Sequence, residues 1–105
     1  YGGAAKPGGL RYYILDNEPA IWHSTHRDVH PVGAKMDEVR DKSVALAKVI
    51  KDADPAALIM GPEEWGWTGY FYSGYDSQWG SKNGWSMLPD RLSHGNKDFS
   101  PWYLQ

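Results

Sequence analysis

The sequence predicts an α/β fold organised as a strand, a helix and a second strand parallel to the first. Residues 11–16 and 57–60 are apolar, β-favouring runs, and residues 37–52 between them repeat apolar side chains at helical spacing. A connection of that length containing a helix joins parallel strands, with a right-handed crossover. The first run ends in Asn17-Glu18-Pro19, where proline interrupts the ladder and a carboxylate is left at the sheet rim. In α/β barrels the C-terminal rim of the strands is where catalytic residues sit.

Taken in order, residues 1–9 are Gly-rich and read as a flexible connection. The run 11–16 hardly alternates, so both of its faces are expected to be buried. Residues 19–35 hold three His, two Pro and one Gly without a sustained period, and a long loop is expected there. In the helix, Met36, Val39, Ser43, Leu46, Val49 and Ile50 share a face expected to be core, opposite Arg40, Asp41, Lys48 and Lys51. Asp37 is the expected N-cap, with Glu38 favourable in the first turn. The helix should stop before Asp54-Pro55, because the residue preceding a proline resists helical geometry. Ala57-Leu58-Ile59-Met60 reads as a short buried strand closed by Gly61-Pro62. Residues 63–97, rich in Gly, Ser and Trp, read as a long aromatic loop of the kind that carries function. Ser100-Pro101 then reads as the N-cap and first position of another helix. The chain stops within that first turn and opens just ahead of a buried strand. The expectation is therefore an internal segment of a larger protein, with residues 1–105 forming part of one domain.

A chain of 105 residues suffices for one small domain. It is too short for a closed eightfold barrel, which needs roughly 200 residues or more. Eleven basic and thirteen acidic residues give a net charge of −2 without a basic stripe, so nucleic acid is not an expected partner. No apolar run approaches the ~20 residues that cross a membrane, so no membrane partner is expected either. The opening Gly-Gly-Ala-Ala-Lys-Pro-Gly-Gly lacks the apolar centre of a secretory signal. Without cysteine, disulfides, thiolate metal sites and a cysteine nucleophile are excluded. No cofactor is expected. The six Trp and seven Tyr fall mostly after residue 64, in Gly-rich polar sequence that favours exposed ring faces.

Parallel strands open their C-terminal ends onto one face. That would bring Asn17, Glu18, Glu63 and Glu64 together with the rings of Trp22, Trp65 and Trp67. Carboxylates so placed serve as general acid, general base or nucleophile at a glycosidic bond. Trp faces stack on the apolar C–H faces of sugar rings, and Asn17 can hold a hydroxyl beside the acid. Glu18 is the expected catalytic group. Glu63 and Glu64 compete between substrate contact and capping or ion pairing of the next turn. His26 and His30, four apart with Asp28 between them, invite a metal reading, but Pro31 and the lack of periodicity argue against the helix it needs. No metal site is expected, and His26 is instead assigned to sugar hydroxyls.

Three motifs in order carry a more specific signal: Leu15-Asp16-Asn17-Glu18-Pro19-Ala20-Ile21-Trp22, Thr25-His26-Arg27-Asp28-Val29-His30-Pro31 and Gly61-Pro62-Glu63-Glu64-Trp65-Gly66-Trp67. Together they resemble glycoside hydrolase family 44, a family of endo-acting β-glucanases, over residues from about 8 to 105. The resemblance implies a secreted enzyme with a (β/α)₈ TIM barrel and an accessory β-sandwich. It implies retaining hydrolysis of internal β-1,4 bonds in cellulose-like polysaccharides, with xylan and xyloglucan as further substrates. Glu18 would be the general acid/base at the end of strand four, and Gly61–Trp67 would line the cleft after strand five. The chain would then span strand four to the start of helix five, not a complete barrel. The family's nucleophile lies on strand seven, which this sequence does not reach, so the isolated chain would be inactive and its partners would be the polysaccharide and the remainder of the barrel. Two other readings stand beside this one. A non-catalytic carbohydrate-binding module would use Trp65, Trp67, Trp79 and Trp85 as a platform, although such modules are usually β-sandwiches. A metal-dependent hydrolase would use the histidines.

Overall fold

Two short strands, β1 (Tyr12–Ile14) and β2 (Leu58–Met60), pair in parallel, with Tyr12 opposite Leu58, Tyr13 opposite Ile59 and Ile14 opposite Met60. They come from a computed structural model that describes residues 1–15 and 17–105; Asp16, expected to end the first strand, lies outside the described residues. The ladder runs on at both ends, with the Leu58 N–H donating to the Arg11 carbonyl and the Leu15 N–H to the Met60 carbonyl, each at 2.8 Å. The strand–helix–strand unit expected from the sequence is thus present. Its strands are not buried on both faces as expected, since Tyr12, Ile14, Leu58 and Met60 are exposed. A sheet of two strands is too narrow to cover its own faces.

The stretch expected to be one loop at 19–35 contains a 3₁₀ turn, Pro19–Ile21, and a short helix, α1 (Trp22–Thr25). Pro19 at the first position of the turn supplies the fixed φ that starts it. The crossover helix, α2 (Met36–Ala53), has Asp37 and Glu38 in its first turn and Lys51 in its last, each favourable to the helix dipole. Surface pairs Glu38–Lys42 and Lys48–Asp52 follow the i,i+4 rule. Asp37 is not the N-cap: that position belongs to Lys35, and the Met36 N–H donates to Asp90 Oδ2 at 2.8 Å across the fold. The helix ends at Ala53, before Asp54-Pro55, as expected.

The segment 63–97 is not a loop throughout. It carries a 3₁₀ turn (Trp67–Tyr70) and two helices, α3 (Gly74–Asn83) and α4 (Pro89–Ser93). Ser73 caps α3 by accepting the Asp76 N–H at 3.2 Å. The expected last helix, α5 (Phe99–Tyr103), starts two residues early, so Asp98 rather than Ser100 is its N-cap. The core joins α1, α2 and α5 through Trp22, Ala34, Met36, Val39 and Phe99, flanked by Trp102 and Tyr103. Only the first part of the apolar face of α2 takes part. Leu46 and Val49, expected to be core, are instead 46 % and 63 % exposed.

Candidate active site

β1 and β2 bring the two acidic clusters to one end of the sheet. The offset that sets Tyr12 opposite Leu58 persists past the strand ends and sets Asn17 opposite Glu63 in a parallel bridge. The Glu18 N–H donates to the Glu63 carbonyl at 2.7 Å. The backbone of Asn17-Glu18 is therefore fixed directly on that of Glu63.

Glu18 stands at φ 54°, ψ 55°, the left-handed region. For a side-chain-bearing residue this costs about 1–2 kcal/mol. Among the described residues only Asn96 shares positive φ without being glycine. Such a conformation persists where its surroundings over-determine it, and it clusters at functional sites. The surroundings here do so. The Glu18 carbonyl accepts the Ile21 N–H at 3.0 Å, closing the turn that follows. Pro19 is buried beside it, and Trp22 Nε1 donates to the Asn17 carbonyl at 3.1 Å.

The two glutamates after β2 differ. Glu63 is exposed at the rim. Glu64 is half-buried, and burial pushes its carboxyl up to about 7 against the pull of the Ala20 and Trp65 N–H groups. Its Oε2 is buried without a hydrogen-bond partner and faces Gly69, where an added Cβ would lie 2.7 Å away. Trp65 and Trp67 are 55 % and 75 % exposed. The Trp67 ring leans on Tyr70 and Phe71 at centroid distances of 6.2 and 5.5 Å, so one side is supported while most of its surface stays open.

Trp22 was expected at the rim and His26 at sugar hydroxyls. Trp22 is only 7 % exposed and belongs to the core, so it has no open face for stacking; its indole N–H positions the Asn17 backbone instead. His26 lines a shallow groove with Trp22, Val29, His30 and Lys42, a set containing none of the three carboxylates. His30 packs edge-on to Trp22 at 5.4 Å and bonds Glu38 Oε1 through Nε2 at 2.7 Å. Among the described residues no three His, Asp or Glu side chains gather as metal ligands.

The sequence model of glycoside hydrolase family 44 matches residues 1–105, the whole chain. The chain belongs to glycoside hydrolase family 44. It is 39 % identical over all 105 residues to a β-mannanase/endoglucanase A of Caldicellulosiruptor saccharolyticus, of which it spans 7 %. It is also similar to the crystal structure of CelM2, a bifunctional glucanase-xylanase from a metagenome library, with 66 % identity and a TM-score of 0.90 over 92 % of this chain and 19 % of that one. A Paenibacillus polymyxa xyloglucanase of the same family, solved with xyloglucan, matches at 34 % identity and a TM-score of 0.78, over 99 % of this chain and 18 % of its own. The chain thus spans under a fifth of the length of each of these three relatives.

In this family 44 segment, three structural contributors were not singled out from sequence. Gly69 leaves the room that Glu64 occupies, and nothing in its local pattern marks it out. Asp76 and Asp90 are 0 % and 4 % exposed and hold helix N-termini together. For Asp76 a signal existed: Ser73 followed three residues later by an acid is a capping pattern.

Proposed function

We propose that residues 1–105 are part of the catalytic (β/α)₈ barrel of a secreted, retaining endo-β-1,4-glucanase that hydrolyses cellulose-like polysaccharides, with xylan and xyloglucan as further substrates. The parent would carry Glu18 as its general acid/base and a nucleophilic carboxylate on a strand outside these residues. The observation that carries this reading is the left-handed Glu18 at the end of β1, fixed through its own N–H to the second acidic segment. Family membership supports the reaction class, and names such as endoglucanase, glucanase-xylanase and xyloglucanase among the relatives support the substrate class.

In the proposed mechanism Glu18 gives its proton to the glycosidic oxygen as the bond to the anomeric carbon breaks. The nucleophile, about 5 Å from Glu18 in a retaining enzyme, takes the sugar as a covalent ester. Glu18, now a carboxylate, removes a proton from the water that hydrolyses the ester. Asn17 and Glu63 would hold sugar hydroxyls beside the acid, and Trp65 and Trp67 would stack on sugar rings. Trp22 is left out of the substrate set because it is buried in the core, and Glu64 because its Oε2 is buried against Gly69, while His26 would contact sugar hydroxyls. The exposed parallel strand pair also favours a barrel segment over a carbohydrate-binding module with an aromatic platform.

The test is Glu18→Gln in the full-length parent. Turnover of polysaccharide should fall by about a hundredfold or more. Glycosyl-enzyme formation from an aryl glycoside with an activated leaving group, which departs without a proton, should fall far less. Equal loss on both substrates would leave Glu18 a structural residue.

A further inference from the structure

The rings that follow β2 form a connected series, which the proposed mechanism uses only at its start. Trp67 lies 5.5 Å from Phe71 between centroids, Phe71 lies 6.1 Å from Tyr72, and Tyr72 lies 5.7 Å from Trp85. Phe71 and Tyr72 in the middle are partly buried, whereas Trp67 and Trp85 at the ends are exposed, Trp85 at 52 %. The end of α3 seats Trp85. The Gly84 N–H donates to the Gly80 carbonyl at 2.9 Å, and Gly84 turns the chain at φ 84°, a value that favours glycine. The Trp85 ring then lies on Gly80, where an added Cβ would be 2.7 Å from Cδ2 and Cε3 and 3.0 Å from Cζ3. Three consecutive ring atoms at nearly equal distance set the face of the ring, not its edge, against the helix. One face is thus backed by α3, and the exposure falls on the other. Ser81, Lys82, Asn83 and Ser86 beside it in sequence are also exposed and offer hydroxyl, ammonium and amide groups.

We propose that Trp85, seated on Gly80, is a further stacking site for the β-1,4-glucan chain, reached from Trp67 across Phe71 and Tyr72. The proposal rests on the reading of Trp67 as a sugar-stacking residue. The occupant is a long glucan chain, because the series of touching rings starts at Trp67, in the segment that follows the acidic rim. A flat open ring flanked by small polar groups matches the apolar C–H face of a pyranose and the hydroxyls around it. A ring already braced by its neighbours loses little freedom when a sugar stacks on it.

The experiment places Trp85→Ala, Gly80→Ala and Trp67→Ala in the full-length parent carrying Glu18→Gln, which binds glucan without turning it over. Affinity is measured for cellotriose, by calorimetric titration, and for soluble hydroxyethyl-cellulose, by retardation in a gel containing the polymer. Trp85→Ala should weaken binding of the polymer by about three- to tenfold, the range of a single aromatic contact, and leave cellotriose binding unchanged. Gly80→Ala, which pushes the ring off its seat, should shift both ligands in the same pattern. Trp67→Ala should weaken both ligands. If Trp85→Ala does not fold, Gly80→Ala and Trp85→Phe carry the comparison, with Trp85→Phe losing less because it keeps an aromatic face. Unchanged polymer binding in Trp85→Ala would overturn the proposal. Equal losses on both ligands together with a lowered unfolding midpoint would overturn it too, and would make Trp85 a packing residue beneath the rest of the parent. Unchanged binding of both ligands in Trp67→Ala would instead remove the stacking reading on which the proposal stands, so the two failures are told apart.

Discussion

At the residue scale, the two glutamates of greatest interest are shaped by opposite forces. Glu18 stays at the rim and bears its constraint in the backbone, at φ 54°. Glu64 turns inward and bears it in its ionisation, with burial raising its carboxyl to about 7 from an ordinary 4.5. The sign of the resulting pH dependence follows from linkage. A carboxyl that binds its proton more tightly in the folded state contributes stability that is fully present below about 4.5 and is lost as pH rises through about 7. Across that window Glu64 should remove roughly 1 kcal/mol per pH unit. His94, raised by its hydrogen bonds to the Asp90 carbonyl and Asp37 against the opposing effect of burial, acts in the same direction, its contribution fading as pH rises through its folded value. Denaturation of the full-length parent at pH 5 and pH 8 should therefore show greater loss at pH 8 in the wild type than in Glu64→Gln. An identical loss in both would show that the Glu64 carboxyl is not held protonated by burial.

At the scale of elements, the starts of α2 and α4 are tied by buried carboxylates rather than by local side-chain caps. Asp76 of α3 accepts the N–H groups of Asp90 and Arg91 at the start of α4, at 2.9 and 2.8 Å, and Asp90 in turn accepts the N–H of Met36 at the start of α2. Asp76→Ala would leave buried donors without partners, a loss of about 1–3 kcal/mol for each. Asp76→Asn, which keeps one acceptor, should lose less. Unfolding midpoints of the two variants in the parent would show this ranking, and equal midpoints would refute the shared cap. This relay also marks what a sequence can disclose. The strand–helix–strand order, the extent of α2 and the meeting of Asn17-Glu18 with Glu63-Glu64 were legible, because local periodicity and strand direction determine them. The cap on α2 was not, since its donor and acceptor lie 54 residues apart. The helices α3 and α4 were hidden by Gly- and aromatic-rich composition, although Ser73 and Pro89 stand at their starts. Trp22 was misplaced because composition counts aromatic rings without saying which are inside.

At the scale of the molecule, the apolar surface is unevenly distributed. The radius of gyration is 15.7 Å, against about 13 Å for a compact domain of 100 residues. The core gathers at one end, around Trp22, Met36 and Phe99, while Tyr12, Ile14, Leu58 and Met60 on the sheet and Val44, Leu46 and Val49 on α2 stand exposed. Among the described residues each strand has only one partner, so both outer edges offer unpaired N–H and C=O groups to another chain. Contiguous apolar surface beside open strand edges drives association in water. Prepared alone, residues 1–105 should therefore form oligomers or aggregates and release no reducing sugar from carboxymethyl-cellulose. Size-exclusion chromatography with light scattering, run beside the sugar assay, checks both halves. A compact monomer with robust turnover would mean that Glu18 finds its second carboxylate among Glu63 and Glu64, and the proposed distribution of the catalytic pair over a longer barrel would have to be abandoned. An associated, inactive chain agrees with the geometry, in which the acid is held in place while the apolar faces flanking it are still exposed.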